Sequence, residues 1–368
     1  MKSLILALRL PVIRLLVIWL PVMWILAMPA VAQPPPNRLD SLARGINITG
    51  WFRHPGSRDP AALRAWIGDP ALGDLARAGF TFVRLAVDPT LVQDPAIRAV
   101  AIQAIGRLQA QRLAVVVGPH PVGWHLETEA NDRARLLAFW QDFAMALRPL
   151  NQAMLFPEIL NEPVFARQPE DWQALQHRMH GVVRTILADA TIVLTGHDWG
   201  SVRGLLALTP EPDRNVVYSV HFYDPSELTA LAAYRPNLDR AALAAQPFPW
   251  REDCGNIQTD RETQALITYV CSLRWDSVRI QDALSRAGEW ARRHRVNIVV
   301  GEFGATQALN PRSRLAWLHT VRHAAETQGM GWALWGYDDI MGFAVPRPPR
   351  VRPVLDPGVL TALGLHSQ

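Results

Sequence analysis

The chain has 368 residues, of which 49% are hydrophobic and 19% charged, with 37 basic against 33 acidic side chains. That content excludes a disordered protein and a disulfide-dense miniature scaffold, and it is ample for one barrel-sized domain. Lys2, Arg9 and Arg14 account for 3 of the 37 basic residues and precede every acid; without them the balance is 34 to 33, and no dense arginine run remains to engage nucleic acid.

In chain order, residues 1–32 read as a secretory signal peptide. Basic residues precede the apolar run Leu15 to Met28, and Ala30-Val31-Ala32 is a small-x-small cleavage site before Gln33. The expected mature protein is exported, to the periplasm or the medium, with no stable membrane insertion after cleavage. "QPPPNRLD" opens a short polar linker over 33–43, and 44–368 reads as a single domain. In that domain, short apolar, β-branched runs recur as "INITGWF" (46–52), "FTFVRLAV" (80–87), "LAVVVGPH" (113–120) and "AMLFPEILNEP" (153–163). "TIVLTGHDW" (191–199), "VVYSVHFY" (216–223), "VNIVVGEFG" (296–304) and "MGWALWGY" (330–337) follow. They are continuous rather than alternating, the pattern of parallel strands covered on both faces.

Helical patterns separate most of them. "DPAALRAWIGDPALGDLARAG" and "DPAIRAVAIQAIGRLQAQ" each open with an Asp-Pro start, Asp59 and Asp94 being the expected N-caps. Helices follow over 131–150, 169–189, 277–295 and 311–328, with a short one after the fifth strand and a weak one at 356–365. Eight strand-helix units in about 320 residues predict an α/β fold, a (β/α)8 TIM barrel. Pro157 is unusual inside a central strand, so a bulge or a later strand start is expected there. Residues 224–274 are long for a connection and contain Cys254 and Cys271, the chain's two cysteines. An even count in an exported chain predicts one disulfide, and the segment reads as a disulfide-pinned wall of the active-site cleft.

In such barrels the site forms at the C-terminal ends of the strands. The polar residues there are Asn47, Arg84, Asp88, His120, Asn161, Glu162, Asp198, His221, Tyr223 and Glu302, with Trp51, Trp124, Trp199, Trp332 and Trp335. Aromatic faces for pyranose rings, amide and imidazole groups for hydroxyls and two carboxyls for an acetal suit a sugar. Trp51, Trp124, Trp199 and Trp250 are candidates for sugar stacking or packing. Trp66, Trp140, Trp172, Trp290 and Trp317 fall in helical patterns and are expected in the core. "HRMH" (177–180) lacks a third metal ligand and reads as a solvated helix face.

Five of these stretches in order, "RGINITGWF", "FVRLAV", "EILNEP", "HFY" and "GEFG", resemble the family 5 glycoside hydrolases, the cellulase family. The resemblance covers most of 44–345. It implies a retaining glycosidase acting on a β-linked glucan or related polysaccharide, endo-wise on β-1,4 bonds, as a monomer with no metal or organic cofactor. It further implies Glu162 as general acid/base and Glu302 as nucleophile. Asn161 would bind the 2-hydroxyl, Tyr223 would position Glu302, and Arg84 would keep Glu302 ionised. His120 and His221 would line the reacting subsite over Trp335. One departure stands out: Gly118 lies two before His120, where the family often has an acid. Two rival readings remain. In the first, Asp198 in "TIVLTGHDWGS" is the nucleophile of an α/β-hydrolase elbow, as in epoxide hydrolases and dehalogenases. The second is a noncatalytic glycan-binding barrel.

Overall fold

In a computed structural model, residues 36–349 and 352–366 are described. The expected leader over 1–32 lies outside them, and among the described residues no helix is long and apolar enough to cross a membrane. The strands are β1 (Arg44–Phe52), β2 (Phe82–Val87), β3 (Ala114–Pro119), β4 (Leu155–Pro157), β5 (Ile192–Thr195), β6 (Val216–Phe222), β7 (Asn297–Phe303) and β8 (Gly331–Leu334). They form one parallel sheet in the order β4-β3-β2-β1-β8-β7-β6-β5. A parallel bridge between Glu158 and Val193 closes the ring, reinforced by the Ile159 N–H donating to the Val193 carbonyl at 3.1 Å. The expected (β/α)8 barrel is formed.

Two strands are shorter than the sequence suggested. β4 begins at Leu155 and stops at Pro157, a residue with no N–H to extend a ladder. The chain recovers at once, with the Glu158 N–H donating to the Val117 carbonyl at 2.9 Å. β5 stops at Thr195, and His197–Gly200 turn away instead of extending it to Trp199.

The two-residue strand period explains how the mouth is assembled. A separate apolar cluster of Leu42, Phe82, Ala114, Val116, Phe156, Val193, Val217, Val299 and Ala333 fills the lower barrel. Gly45 makes room for it, because a Cβ there would lie 2.2 Å from the Phe82 ring. Two residues further along, the same strand faces carry Asn47, Arg84, Gly118 and Glu158. Glu302 is out of step with that count. β6 pairs Val220 with Val300 but His221 with Glu302, so β7 has one extra residue, Gly301. This bulge turns the Glu302 carboxylate inward. A Cβ at Gly301 would meet the Ser219 hydroxyl at 2.2 Å.

The helices mostly follow the pattern. Asp59 and Asp94 accept N-cap bonds from Ala61 and from Ala96 and Ile97. The expected 59–79 helix is split into Pro60–Arg64 and Asp69–Ala78, because Gly68-Asp69-Pro70 restarts it. Residues expected as linker contain a helical turn, Pro36–Ser41, followed by Leu42, which plugs the barrel floor. Trp66, Trp140, Trp172, Trp290 and Trp317 are buried as expected.

The Cys254–Cys271 disulfide is formed. The 224–274 segment is not a bare loop, since it carries the helices Ser226–Thr229, Arg240–Ala244 and Arg261–Ser272. It packs outward on the 310–316 region: the Phe248 N–H donates to the Ser313 hydroxyl at 2.8 Å, and Asn310 Nδ2 to the Gln246 carbonyl at 2.7 Å. The pocket beside Glu162 is lined by other segments, and 224–274 meets the site only at its start, where the Thr229 hydroxyl donates to the Tyr223 carbonyl at 2.6 Å.

Candidate active site

Arg84 organises the mouth. Its guanidinium is 1% exposed and donates from Nε to Glu158 Oε2 (2.7 Å), from Nη1 to Asn47 Oδ1 (2.9 Å) and Glu302 Oε1 (2.6 Å), and from Nη2 to Asn161 Oδ1 (2.8 Å). Burial alone would lower its pKa, but Glu158 and Glu302 outweigh that and raise it above its ordinary value. Asn47 braces the assembly by donating from Nδ2 to the Gly301 and Leu334 carbonyls, each at 3.1 Å.

Glu302 is 3% exposed, and its second oxygen accepts from the Tyr223 hydroxyl at 2.8 Å. Burial, reinforced by Glu302 and Glu162, drives the Tyr223 phenol well above its usual range, so it stays a neutral donor. Glu162 follows β4 at a left-handed φ of 42° and turns its carboxylate to His221 Nδ1 at 2.9 Å. One oxygen of each glutamate and one nitrogen of His221 all lie within 4.8 Å of one another. Burial would lower the His221 imidazole, but Glu302 and Glu162 raise it.

The protonation pattern differs from the sequence expectation. Burial pushes the Glu302 carboxyl up, against the pull of His221 and Arg84. Burial would raise Glu162 too, but the His221 hydrogen bond and the charges of His221 and Arg84 bring it below its usual value. Arg84 is not the sole cation acting on the pair: His221 Nδ1 lies 2.9 Å from Glu162 Oε1 and 3.4 Å from Glu302 Oε2.

His120 is buried against Trp335, with the rings 6.1 Å apart and nearly parallel at 17°. Burial, then Arg84 and Arg53, push it well below its ordinary value, so it is a neutral imidazole. Trp335 is half-buried, its amide donating to the Phe303 carbonyl at 2.7 Å. The cleft itself, about 360 Å³, runs between Trp124, Asn161, Glu162, Val164 and Trp199. Trp124 is half-buried and Trp199 is 54% exposed, whereas Trp51 is fully buried against Phe52 and Trp66 and Trp250 lines a separate cavity.

The structure therefore brings together Arg84, His120, Asn161, Glu162, His221, Tyr223, Glu302 and Trp335. It also adds two residues the sequence reading missed. Glu158 is 1% exposed and shares Arg84 with Glu302. It explains the departure at Gly118, because a Cβ there would stand 2.9 Å from the Glu158 Cβ and 3.0 Å from Oε2. The signal was a carboxylate inside the apolar run "LFPEIL", which needs a buried cation, and "FVRLAV" supplies one. The second is Arg53, whose guanidinium lies 5.6 Å over the Trp335 ring.

Glu158 gives a prediction. Gln keeps an acceptor for Arg84 Nε but removes a negative charge, leaving the Arg84 cation less neutralised. Neighbouring carboxyls then ionise more readily. For Glu158→Gln, both limbs of the kcat/KM pH profile should move to lower pH, with kcat/KM at the optimum down about tenfold. A uniform loss at every pH would assign Glu158 a packing role only.

Asp198 and Trp199 occupy left-handed backbone, φ 59° and 55°. Asp198 accepts from the Ser201 hydroxyl at 2.6 Å and pairs with Arg203 at 2.7 Å. Burial would raise its carboxyl, but Arg203 and Ser201 hold it below its usual value. This is a turn brace on a closed barrel, and the α/β-hydrolase elbow reading is not supported. Asn tolerates left-handed φ, so Asp198→Asn should retain kcat/KM within about threefold, the loss of a largely surface ion pair being small. Initial rates on a soluble glucan check this. "HRMH" is a further correction. His180 is buried, 2.8 Å from Asp213 Oδ2, because the i+3 position rotates it under the β5–β6 connection while His177 stays exposed.

A family profile described as Cellulase (glycosyl hydrolase family 5) matches residues 66–339. Endoglucanase 3 of Fibrobacter succinogenes is 23% identical over 329 residues, which cover 80% of this chain but 49% of that protein, so the chain spans about half of its length. Endoglucanase C of Acetivibrio thermocellus is 22% identical over 81% of this chain and 91% of its own length. Among solved structures, the endoglucanase Cel5A of the hyperthermophilic Thermotoga maritima superposes with a TM-score of 0.72 at 24% identity, covering 89% of this chain and 98% of that one. The profile covers well over half of the chain and contains the whole Arg84–Glu162–Glu302 constellation, and the chain belongs to the cellulase family, glycosyl hydrolase family 5.

Proposed function

We propose that the protein is a retaining endo-β-1,4-glucanase or a close variant of one, cutting β-glycosidic bonds of a glucan or related polysaccharide. One observation carries this reading: two glutamates with oxygens within 4.8 Å of each other but different partners, Glu302 held by Arg84 and Tyr223, Glu162 by His221. That spacing suits direct attack on the anomeric carbon and leaves no room for a water between carboxylate and sugar. The relatives' names supply the substrate class.

In the first step a Glu302 oxygen bonds to the anomeric carbon as the glycosidic C–O bond breaks. The departing oxygen takes the proton from Glu162, which is left ionised beside His221. Bonding consumes the Glu302 charge, which removes the repulsion acting on Glu162 and favours its ionised form. Glu162 then accepts a proton from the water that displaces Glu302 and restores both carboxyls. Asn161, its Oδ1 taken by Arg84, offers its amide N–H groups to the 2-hydroxyl. Trp335 floors the reacting ring, and Trp124 and Trp199 receive the leaving chain. The N-terminal pattern and the disulfide support an exported protein.

The test is hydrolysis of cellulose derivatives, mannan, xylan and mixed-linkage glucan, with the anomer of the first product followed by NMR. An initial β product on a β-1,4-glucan is expected. An initial α product would end the retaining assignment.

A further inference from the structure

Beyond Arg53 the cleft continues into a second groove of about 510 Å³, lined by Arg53, His54, Pro55, Arg58, Asp88 and Leu91. Arg53 lines both. Glu162 protonates the leaving group, so the Trp124–Trp199 end takes the aglycone and this second groove the glycone.

The Arg53 Nε is buried with no hydrogen-bond partner, and among the described residues the Arg53 guanidinium makes no ion pair, although it lies over Trp335 and feels the charges of Glu302 and Glu162. Among the described residues the exposed Arg58 makes no ion pair, and the acid that lines the groove, Asp88, accepts from the Thr90 N–H at 2.9 Å. Burial, then Arg53 and Arg347, hold the His54 imidazole below its ordinary value against the opposing pull of Asp88 and Asp338. A wholly neutral chain would leave a partly buried guanidinium with its strongest hydrogen bonds unmade.

We propose that this groove is a glycone subsite for a carboxylate-bearing sugar, with Arg53 and Arg58 as the residues that read the acid. The inference rests on the glycosidase reading for its orientation. A planar guanidinium fork matches a carboxylate in two parallel bonds, which neutral hydroxyls cannot reproduce. The favoured polymer is a β-linked glycan with uronic acid units or carboxylate substituents.

The test separates binding from turnover. Glu302→Gln protein is titrated by calorimetry with a β-1,4-linked glucose hexamer and with the matching β-1,4-linked glucuronate hexamer. The acidic hexamer should bind about tenfold more tightly at low ionic strength, with most of that advantage gone near 0.5 M salt. Adding Arg58→Gln should reduce the advantage at least about threefold, and Arg58→Lys, which keeps the charge but not the fork, should restore only part of it. Equal affinity for the two hexamers, no binding of either, or an advantage untouched by Arg53→Gln with Arg58→Gln would overturn the proposal. Wild-type turnover of a neutral glucan reports separately. Cleavage without acid preference removes this subsite and leaves the glucanase reading. Acid preference without any cleavage of glucan does the reverse.

Discussion

Glu302→Gln should abolish turnover of a β-1,4-glucan, lowering kcat on the order of 10^4-fold or more while the protein stays folded. The amide is isosteric, and its oxygen still accepts from Arg84 or Tyr223. It cannot form the glycosyl ester, and nothing else near the anomeric carbon is equipped to. Glu162 is committed to His221 at 2.9 Å, and Asp198 is bound to Arg203 and Ser201. Removing the charge also strips His221 and Tyr223 of the anion that raises both. Urea titration beside the rate assay distinguishes lost chemistry from lost fold. A variant with ordinary stability and more than a few per cent of wild-type rate would overturn the nucleophile assignment.

Glu162→Gln comes next, and its signature is selective. On an unactivated polysaccharide kcat should fall by about 10^3-fold, the usual weight of positioned general acid catalysis. A dinitrophenyl glycoside, whose leaving group needs no proton, should still react with Glu302 and release a burst of dinitrophenolate. The second step then stalls for want of a base. Added azide, a nucleophile that needs no deprotonation, should restore steady turnover and give a glycosyl azide of retained configuration. Equal losses on activated and unactivated substrates would remove Glu162 from the acid/base role. So would Asp198→Asn proving as damaging as Glu162→Gln.

Most residues that met at the mouth were legible because they close an apolar run, and a strand end is a position sequence can mark. Asn161, Glu162, His221, Tyr223 and Glu302 have this property, whereas Arg84 stands out as a lone charge inside the run of β2. Glu158 lies one residue past the end of β4, inside an apolar run, and its meaning depended on knowing that β2 and β4 are both neighbours of β3. Sheet order is not written in any one run. Arg53 lies in a turn, where polar residues are ordinary, and only its position over Trp335 sets it apart. The inward turn of Glu302 was hidden too, because the bulge at Gly301 follows from pairing with β6. The barrel itself was plain, whereas the shortness of β4 and the helices inside 224–274 were not. In both places backbone groups find partners outside the regular ladder, and periodicity records only the ladder.

The left-handed pair at Asp198 and Trp199 has a consequence for how specificity can change. Their backbone N–H groups donate to the carbonyls of Val164 (3.0 Å) and Pro163 (3.1 Å), fastening the fifth-strand turn to the loop that carries Glu162. The fastening is made by main chain alone. Any residue that accepts the left-handed conformation preserves it, while the exposed Trp199 side chain is free to be exchanged. On the proposed reading, the alignment of Glu162 and the aglycone contact of Trp199 sit on the same turn without sharing atoms, and a lineage can revise the second without losing the first.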